Sequence, residues 1–204
     1  EEYLFILDRD SGRLLRSDSE NTYCLVGCGG IGSASNRLNH PSSFNFDRQG
    51  NLFVVDRHNR RIQKFLLTSN SCGKSLILAT TELHRFSFQV FVPYTPVLTL
   101  AQWHSDGVTV ANWTIAGNRT LAIFVDQNDT LYAAARGFQQ IKMWTGGNLM
   151  PQRNWTISSL TRSMFVAANG DVYVDHITSH RVIRWRWPDR LAVPVMSIPS
   201  GCYG

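Results

Sequence analysis

Six histidines, four cysteines and twenty basic residues are the side chains through which this chain of 204 residues could do chemistry. The histidines are His40, His58, His84, His104, His176 and His180. His176 and His180 would share one face of a helix. They fall instead on a strand end and a loop, where that spacing pairs nothing. Cys24 and Cys28 have the spacing of half a metal site, but no second Cys or His pair follows at finger-like distance. Cys24, Cys28, Cys72 and Cys202 admit three complete disulfide pairings, and spacing does not choose among them. Gly27-Cys28-Gly29-Gly30-Ile31-Gly32 matches the dinucleotide fingerprint and follows an apolar strand. Such a site needs a helix to present its first amides to a pyrophosphate. Residues 33–41 are loop chemistry leading to another strand, so a flexible turn is the reading and no cofactor is expected. No Ser-centred elbow, paired carboxylate motif or acidic calcium loop is present. Neither a metal site nor catalysis is expected.

Charge points the same way. The net charge is +5, and of the basic residues only Lys64, Lys74 and Lys142 are lysines; the other 17 are arginines. Arginine suits bidentate contact with carboxylates and phosphates and stacks on aromatics. This balance permits acidic partners without demanding nucleic acid. Asn-x-Thr sequons stand at Asn112, Asn118, Asn128 and Asn154, about twice the number chance would give. They lean toward a secreted glycoprotein or ectodomain. No apolar run approaches the ~18 residues of a membrane span. The chain opens on Glu1-Glu2-Tyr3 and stops on Gly201-Cys202-Tyr203-Gly204, which reads as a piece cut from something longer.

The elements that must position these residues repeat. Leu52–Phe65 aligns without gaps on Leu131–Trp144 after a shift of 79, and on Val172–Trp185 after a further 41. A shift back by 48 lands on Leu4–Arg9 and then Arg13-Leu14. Upstream, Ser43–Asp47 matches Ala122–Asp126 and Ser163–Ala167, each followed by a short polar turn rich in Gly, Asn or Asp. Each unit reads strand, hairpin, strand, loop, strand. The fourth strand is the run leading onward: Thr22–Gly27, Ala111–Gly117, Asn154–Ile157 and Ala192–Ile198. No capped helical periodicity is visible. A 41-residue spacing fits a four-stranded propeller blade.

The predicted architecture is therefore an all-β propeller of four-stranded antiparallel blades. About five are expected, in an incomplete six-bladed ring, because six would need about 246 residues. The units are placed at 1–21, 22–65, 66–110, 111–144 and 154–185, with a further start at 192–204. Residues 66–110 are either a degenerate blade or an insertion, with possible strands at Ser75–Ala79 and Phe86–Val92. On the first strands, Phe44, Phe46, Ile123, Val125, Met164 and Val166 form one face, and Asn45, Phe124 and Phe165 the other. The recurrent aromatics Phe65, Trp144 and Trp185 are predicted to pack between blades.

This repeat resembles the NHL repeat. The nearest copy runs from Leu38-Asn39-His40-Pro41 through Asp56-Arg57-His58-Asn59-Arg60-Arg61 to Phe65, with good copies at 122–144 and 163–185 and a partial one at Leu4–Leu14. The resemblance implies that the Asp ending the second strand braces the loop after it. That Asp is Asp8 and Asp56, but Ala135 and His176 elsewhere, with Asp175 one place early. Those two loops should be less rigid or held differently.

In a propeller the loops between second and third strands gather on one face. Arg9, Arg57 and Arg136 share a repeat position, followed by His58, Arg60 and Phe138, while the fourth copy supplies His176 and His180. These residues are predicted to form a rim for acidic protein segments, glycans or phosphates. The expectation is a non-catalytic extracellular scaffold that binds protein or an acidic or glycan ligand. Its alternatives are an intracellular NHL module binding RNA or protein within a ubiquitin-ligase architecture, and a metal-dependent propeller lyase or hydrolase. An RNA site would want a denser basic surface with stacking aromatics.

Overall fold

Val, Ile, Phe and Tyr alternate with polar residues between Gly- and Asn-bearing turns, and the chain folds accordingly into antiparallel sheets. The computed structural model describes residues 3–69, 78–83, 86–91, 101–117, 120–135, 139–157, 161–176, 181–186 and 191–197. The chain divides into two compact units, Glu1–Asn112 and Trp113–Gly204.

The first unit runs β1 (Tyr3–Asp8), β2 (Arg13–Ser17), β3 (Thr22–Val26), β4 (Ser43–Phe46), β5 (Leu52–Asp56), β6 (Arg61–Phe65), β7 (Leu67–Ser69), β8 (Leu78–Leu83), β9 (Phe86–Phe91), β10 (Gln102–Trp103) and β11 (Val108–Asn112). Its sheets have the orders β3-β2-β1-β9-β8, β11-β6-β5-β4 and β10-β7. The second unit runs α1 (Trp113–Ala116), β12 (Thr120–Val125), β13 (Leu131–Ala135), β14 (Gln140–Trp144), β15 (Arg153–Thr156), β16 (Met164–Val166), β17 (Val172–His176), β18 (Arg181–Arg186) and β19 (Leu191–Ser197). These form two four-stranded meanders in sequence order, β12 to β15 and β16 to β19. The class is all-β, and its recurring element is the four-stranded antiparallel blade of a β-propeller.

Three first-to-second-strand hairpins are built alike. Asp47 N–H donates to the Asn51 carbonyl, Asp126 N–H to Thr130 and Ala167 N–H to Asp171. The same turn position takes a positive φ each time, at Gly50 (81°), Asp129 (59°) and Gly170 (84°). In two of the turns an Asp carboxylate also fastens the backbone: Asp47 accepts from the Gln49 and Asn51 amides, and Asp126 from the Asn128 and Thr130 amides. Ala167 cannot do this, and Asn169 serves there by accepting from the Asp171 N–H at 3.0 Å.

Each unit has its own core. Phe5, Phe44, Phe46 and Trp103 meet in tilted and edge-to-face pairs at 5.2–6.5 Å, joined by Leu7, Leu14, Leu52 and Phe65. In the second unit Tyr132, Ile141, Trp155, Met164, Val166, Val172 and Val174 cluster, with Trp185 packed against them. The predicted face of the first strands is buried at all six positions, and Phe65 and Trp144 are core residues. Phe165, on the other face, is exposed.

The fourth-strand readings at 22–27, 154–157 and 192–198 correspond to β3, β15 and β19, paired with β2, β14 and β18. The fourth differs. Strand β11 ends at Asn112, and Trp113–Ala116 form a helical turn where strand was expected. The ladder runs out of partners there, because Asn112 already lies opposite Arg61, the first residue of β6. The described strands of 66–110 are distributed among sheets. β9 pairs with the edge of β1 that faces away from β2, with β8 beyond it, β7 pairs with β10, and β11 completes the β4–β6 sheet. Residues 75–77 and 92 of the expected strands lie outside the described residues.

Candidate anion-binding loop cluster

The β5–β6 loop is held from beneath by Asp56, whose side chain is wholly buried. Its Oδ1 accepts the Asn39 N–H at 2.7 Å. Its Oδ2 accepts from Arg61 Nε at 2.7 Å, Asn59 Nδ2 at 2.8 Å and Gln63 Nε2 at 3.1 Å. Both oxygens of a buried carboxylate are thus engaged, as burial of charge demands. Three of its donors reach further into the preceding loop: Asn59 to Gly32 O, Arg61 to Ala34 O and Arg37 O, and Gln63 to Arg37 O.

Residues 27–41, which carry the Gly-rich motif, are therefore strapped onto the second-sheet loop as a connection between blades. Gly27 is required by geometry, since at φ 77° a Cβ there would come within 2.2 Å of the Gly12 carbonyl oxygen. Cys24 and Cys28 form a disulfide across the start of this loop. That settles one pairing the spacing left open; Cys72 and Cys202 lie outside the described residues.

The strap delivers His40 to the rim. His58 N–H donates to the Asn39 carbonyl at 3.0 Å, and the His40 and His58 rings stack with centroids 4.2 Å apart and planes 21° from parallel. His40 Nδ1 and Asn39 Oδ1 are 2.8 Å apart. His40 sits at φ 45°, a left-handed conformation that its surroundings must impose. Arg57 and Arg9 lie within electrostatic range of His58. Partial desolvation holds the His58 imidazole below its usual range, and the charges of His40, Arg57 and Arg9 act in the same direction against Asp56. Arg9 Nε is shut away from solvent and has no hydrogen-bond partner among the described residues.

Of the predicted rim residues, the first unit thus brings together Arg9, Arg57 and His58. Arg60 is exposed on the same loop, at φ 55°. His176 ends β17 in the second unit, opposite Arg181. Arg136, Phe138 and His180 lie outside the described residues. His40 was not singled out from sequence. Its signal was the Asn39-His40-Pro41 run before the first strand, 18 residues from the partner it stacks on. Among the sequons, Asn112, Asn128 and Asn154 are exposed and Asn118 lies outside the described residues. Among the described residues, no group of three or more His, Cys, Asp or Glu could hold a metal ion, and no helix is long and apolar enough to cross a membrane.

The braces differ between copies. Asp8 accepts from the Ser11 N–H at 3.1 Å and Arg13 Nε at 3.0 Å. Asp175, one place early, accepts the Arg162 and Ser163 amides at 2.7 and 2.8 Å. It therefore ties down the chain ahead of the first strand.

No protein-family model and no curated protein matches the chain. Among solved structures it is similar to regucalcin, a calcium-binding protein from Agrobacterium tumefaciens, with 11% identity, 82% of this chain and 45% of that chain covered, and a TM-score of 0.49. It is similar to a protein from Lactobacillus plantarum at 10% identity, with 98% and 54% covered and a TM-score of 0.49. It is also similar to virginiamycin B lyase from Staphylococcus aureus at 9% identity, with 93% and 64% covered and a TM-score of 0.46. The chain spans between 45% and 64% of the length of these proteins. Its fold class rests on the strand pairings themselves.

Proposed function

We propose that this chain is a non-catalytic recognition module of NHL type, acting outside the cell, which binds anionic groups on the loops that follow the second strands. The observation that carries this reading is the convergence of Arg9, Arg57, His40 and His58 on one rim of the first unit. The adjoining carboxylate of Asp56 is turned inward and occupied by internal donors, so the rim presents positive field. Acidic protein segments and sulfated or phosphorylated glycans are the fitting ligands. The Cys24–Cys28 disulfide and the exposed sequon asparagines Asn112, Asn128 and Asn154 support an oxidising, glycosylating compartment.

The test is retention on immobilised heparin and on immobilised poly-glutamate. Arg9→Glu combined with Arg57→Glu should abolish retention while leaving the circular dichroism spectrum that of the folded chain. Unchanged retention would overturn the reading. Expression through a secretory pathway should add glycan at Asn112, Asn128 or Asn154, detectable by an enzymatic deglycosylation shift, and a protein without glycan there argues for the intracellular alternative.

A further inference from the structure

We propose that the stacked His40–His58 pair, together with Arg9 and Arg57, forms a proton-coupled site for a doubly charged oxyanion, a sulfate or phosphate group. This rests on the anion-binding reading above and adds the ligand's charge and its dependence on pH.

The argument begins with geometry. Two imidazoles stacked at 4.2 Å lie too close to carry two positive charges without a compensating anion. Among the described residues, the charges that act on His58 are those of His40 from the 27–42 loop, which stacks on it, Arg57 from its own loop, Arg9 from the β1–β2 loop and Asp56 from the end of β5. Asp56 is the one acid among them, and its oxygens are committed to Asn39, Asn59, Arg61 and Gln63. Two guanidinium groups supply a fixed charge of about +2 at any working pH. A single carboxylate neutralises half of that, whereas one sulfate or phosphate group matches it and has oxygens enough to reach both arginines and an imidazole.

Proton coupling follows from the sign of the field. Without ligand, desolvation and neighbouring cations hold the His58 pKa below its usual range. A dianion beside it reverses that field and favours the imidazolium. Between the free and the bound midpoints, binding takes up a proton, so affinity rises as pH falls through that window. His40 stands on an imposed left-handed backbone, kept in register by Asn39.

Sodium sulfate is the probe, because its charge does not change across the range in which histidine titrates. Histidine C–H NMR titrations would be run on the whole chain with sulfate and with sodium chloride at equal ionic strength. Sulfate should raise the His58 midpoint by about one unit, so that sulfate binds more tightly as pH falls from about 8, by up to about tenfold once the pH lies below the free His58 midpoint. His58→Gln and His40→Asn, the latter chosen because Asn tolerates the left-handed backbone, should flatten the pH dependence of sulfate binding. An unmoved His58 midpoint, or an equal pH dependence in both variants, would overturn the proposal while heparin retention stands. Loss of heparin retention sensitivity to Arg9→Glu and Arg57→Glu would instead remove the reading beneath it.

Discussion

Asp56 in the first unit and Asp175 in the second do related work from positions one residue apart in the repeat. Both carboxylates fasten the backbone that leads into a first strand, through the Asn39 amide in one case and the Arg162 and Ser163 amides in the other. A shift of one residue along a strand reverses the face from which a side chain projects. Asp56 therefore stands over Arg61, opposite it across the ladder, while Asp175 stands opposite Val182. The positions of Asn59 and Gln63 are Ser179 and Ile183 in the later copy. The first brace is a buried ion pair with additional amide donors, and it carries the loop bearing Arg57 and His58. Among the described residues the second is hydrogen-bonded by backbone amides, and burial outweighs these and the Arg162 charge and raises the Asp175 pKa. What the comparison teaches is that the strand lead-in is secured in both units, whereas the Asp56 carboxylate also finds a guanidinium and so ties the loop bearing Arg57 and His58 to the 27–41 connection.

Breaking the first brace should have the largest effect. Asp56→Ala removes one partner of a buried pair and strands Arg61, Asn59 and Gln63, so it should cost about 3–5 kcal/mol in urea unfolding. A loss below about 1 kcal/mol would mean that the network is not what holds the loop. Asp175→Ala leaves two amides without an acceptor and should cost about 1–3 kcal/mol. Asp175→Asn should cost little or stabilise, because one Oδ1 accepts both amides and the amide side chain carries no charge to bury. The folded Asp175 pKa lies above its ordinary 3.8, so the folded state holds this proton more tightly. Wild-type stability should thus gain on Asp175→Asn as pH falls through the folded value, levelling off below about 3.8. A constant difference between the two proteins from about pH 7 to about pH 4 would remove the desolvation assignment.

Sequence made the blade legible because each hairpin declares itself locally. Asp47, Gly50, Asp126 and Gly170 specify turns whose hydrogen bonds span a few residues, and the two-residue period of a strand sets Phe44, Phe46, Ile123, Val125, Met164 and Val166 on one buried face. Long-range partners were not legible. The tetrapeptide Asn-Trp-Thr-Ile occurs at 112–115 and at 154–157. In the second place it is largely strand, with Trp155 in the core, because β14 lies alongside. In the first it turns helical, and Trp113 is 54% exposed, because β6 has no residue left to pair with. Identical propensity with opposite outcome is tertiary context overriding local preference. The alignment of β9 along β1 joins strands about 80 residues apart for the same reason. Of the candidate site, repeat arithmetic aligned Arg9 with Arg57 and set His58 next in its loop, but the place of His40 beside His58 depended on a loop strapped down by Asn59, Arg61 and Gln63.

The smallest effect sharpens the comparison from the other side. Asp8 and Arg13 occupy the same repeat positions as Asp56 and Arg61, yet the Arg13 side chain is 44% exposed where that of Arg61 is 15%. Burial works to raise the Asp8 pKa, but hydrogen bonds from Ser11 and Arg13 and the Arg13 charge prevail and hold it below 3.8. A depressed folded value means that the unfolded chain binds the proton more tightly. The stabilisation is therefore complete above the unfolded pKa and is lost as pH falls through the folded one. Solvent screening limits it to about 0–1 kcal/mol, so Asp8→Asn should lower stability at neutral pH by no more than that, with the deficit closing in acid and shrinking in high salt. A loss at pH 7 as large as that of Asp56→Ala would show that exposure does not set the strength of this repeated pair, and that the first loop is as firmly built as the second.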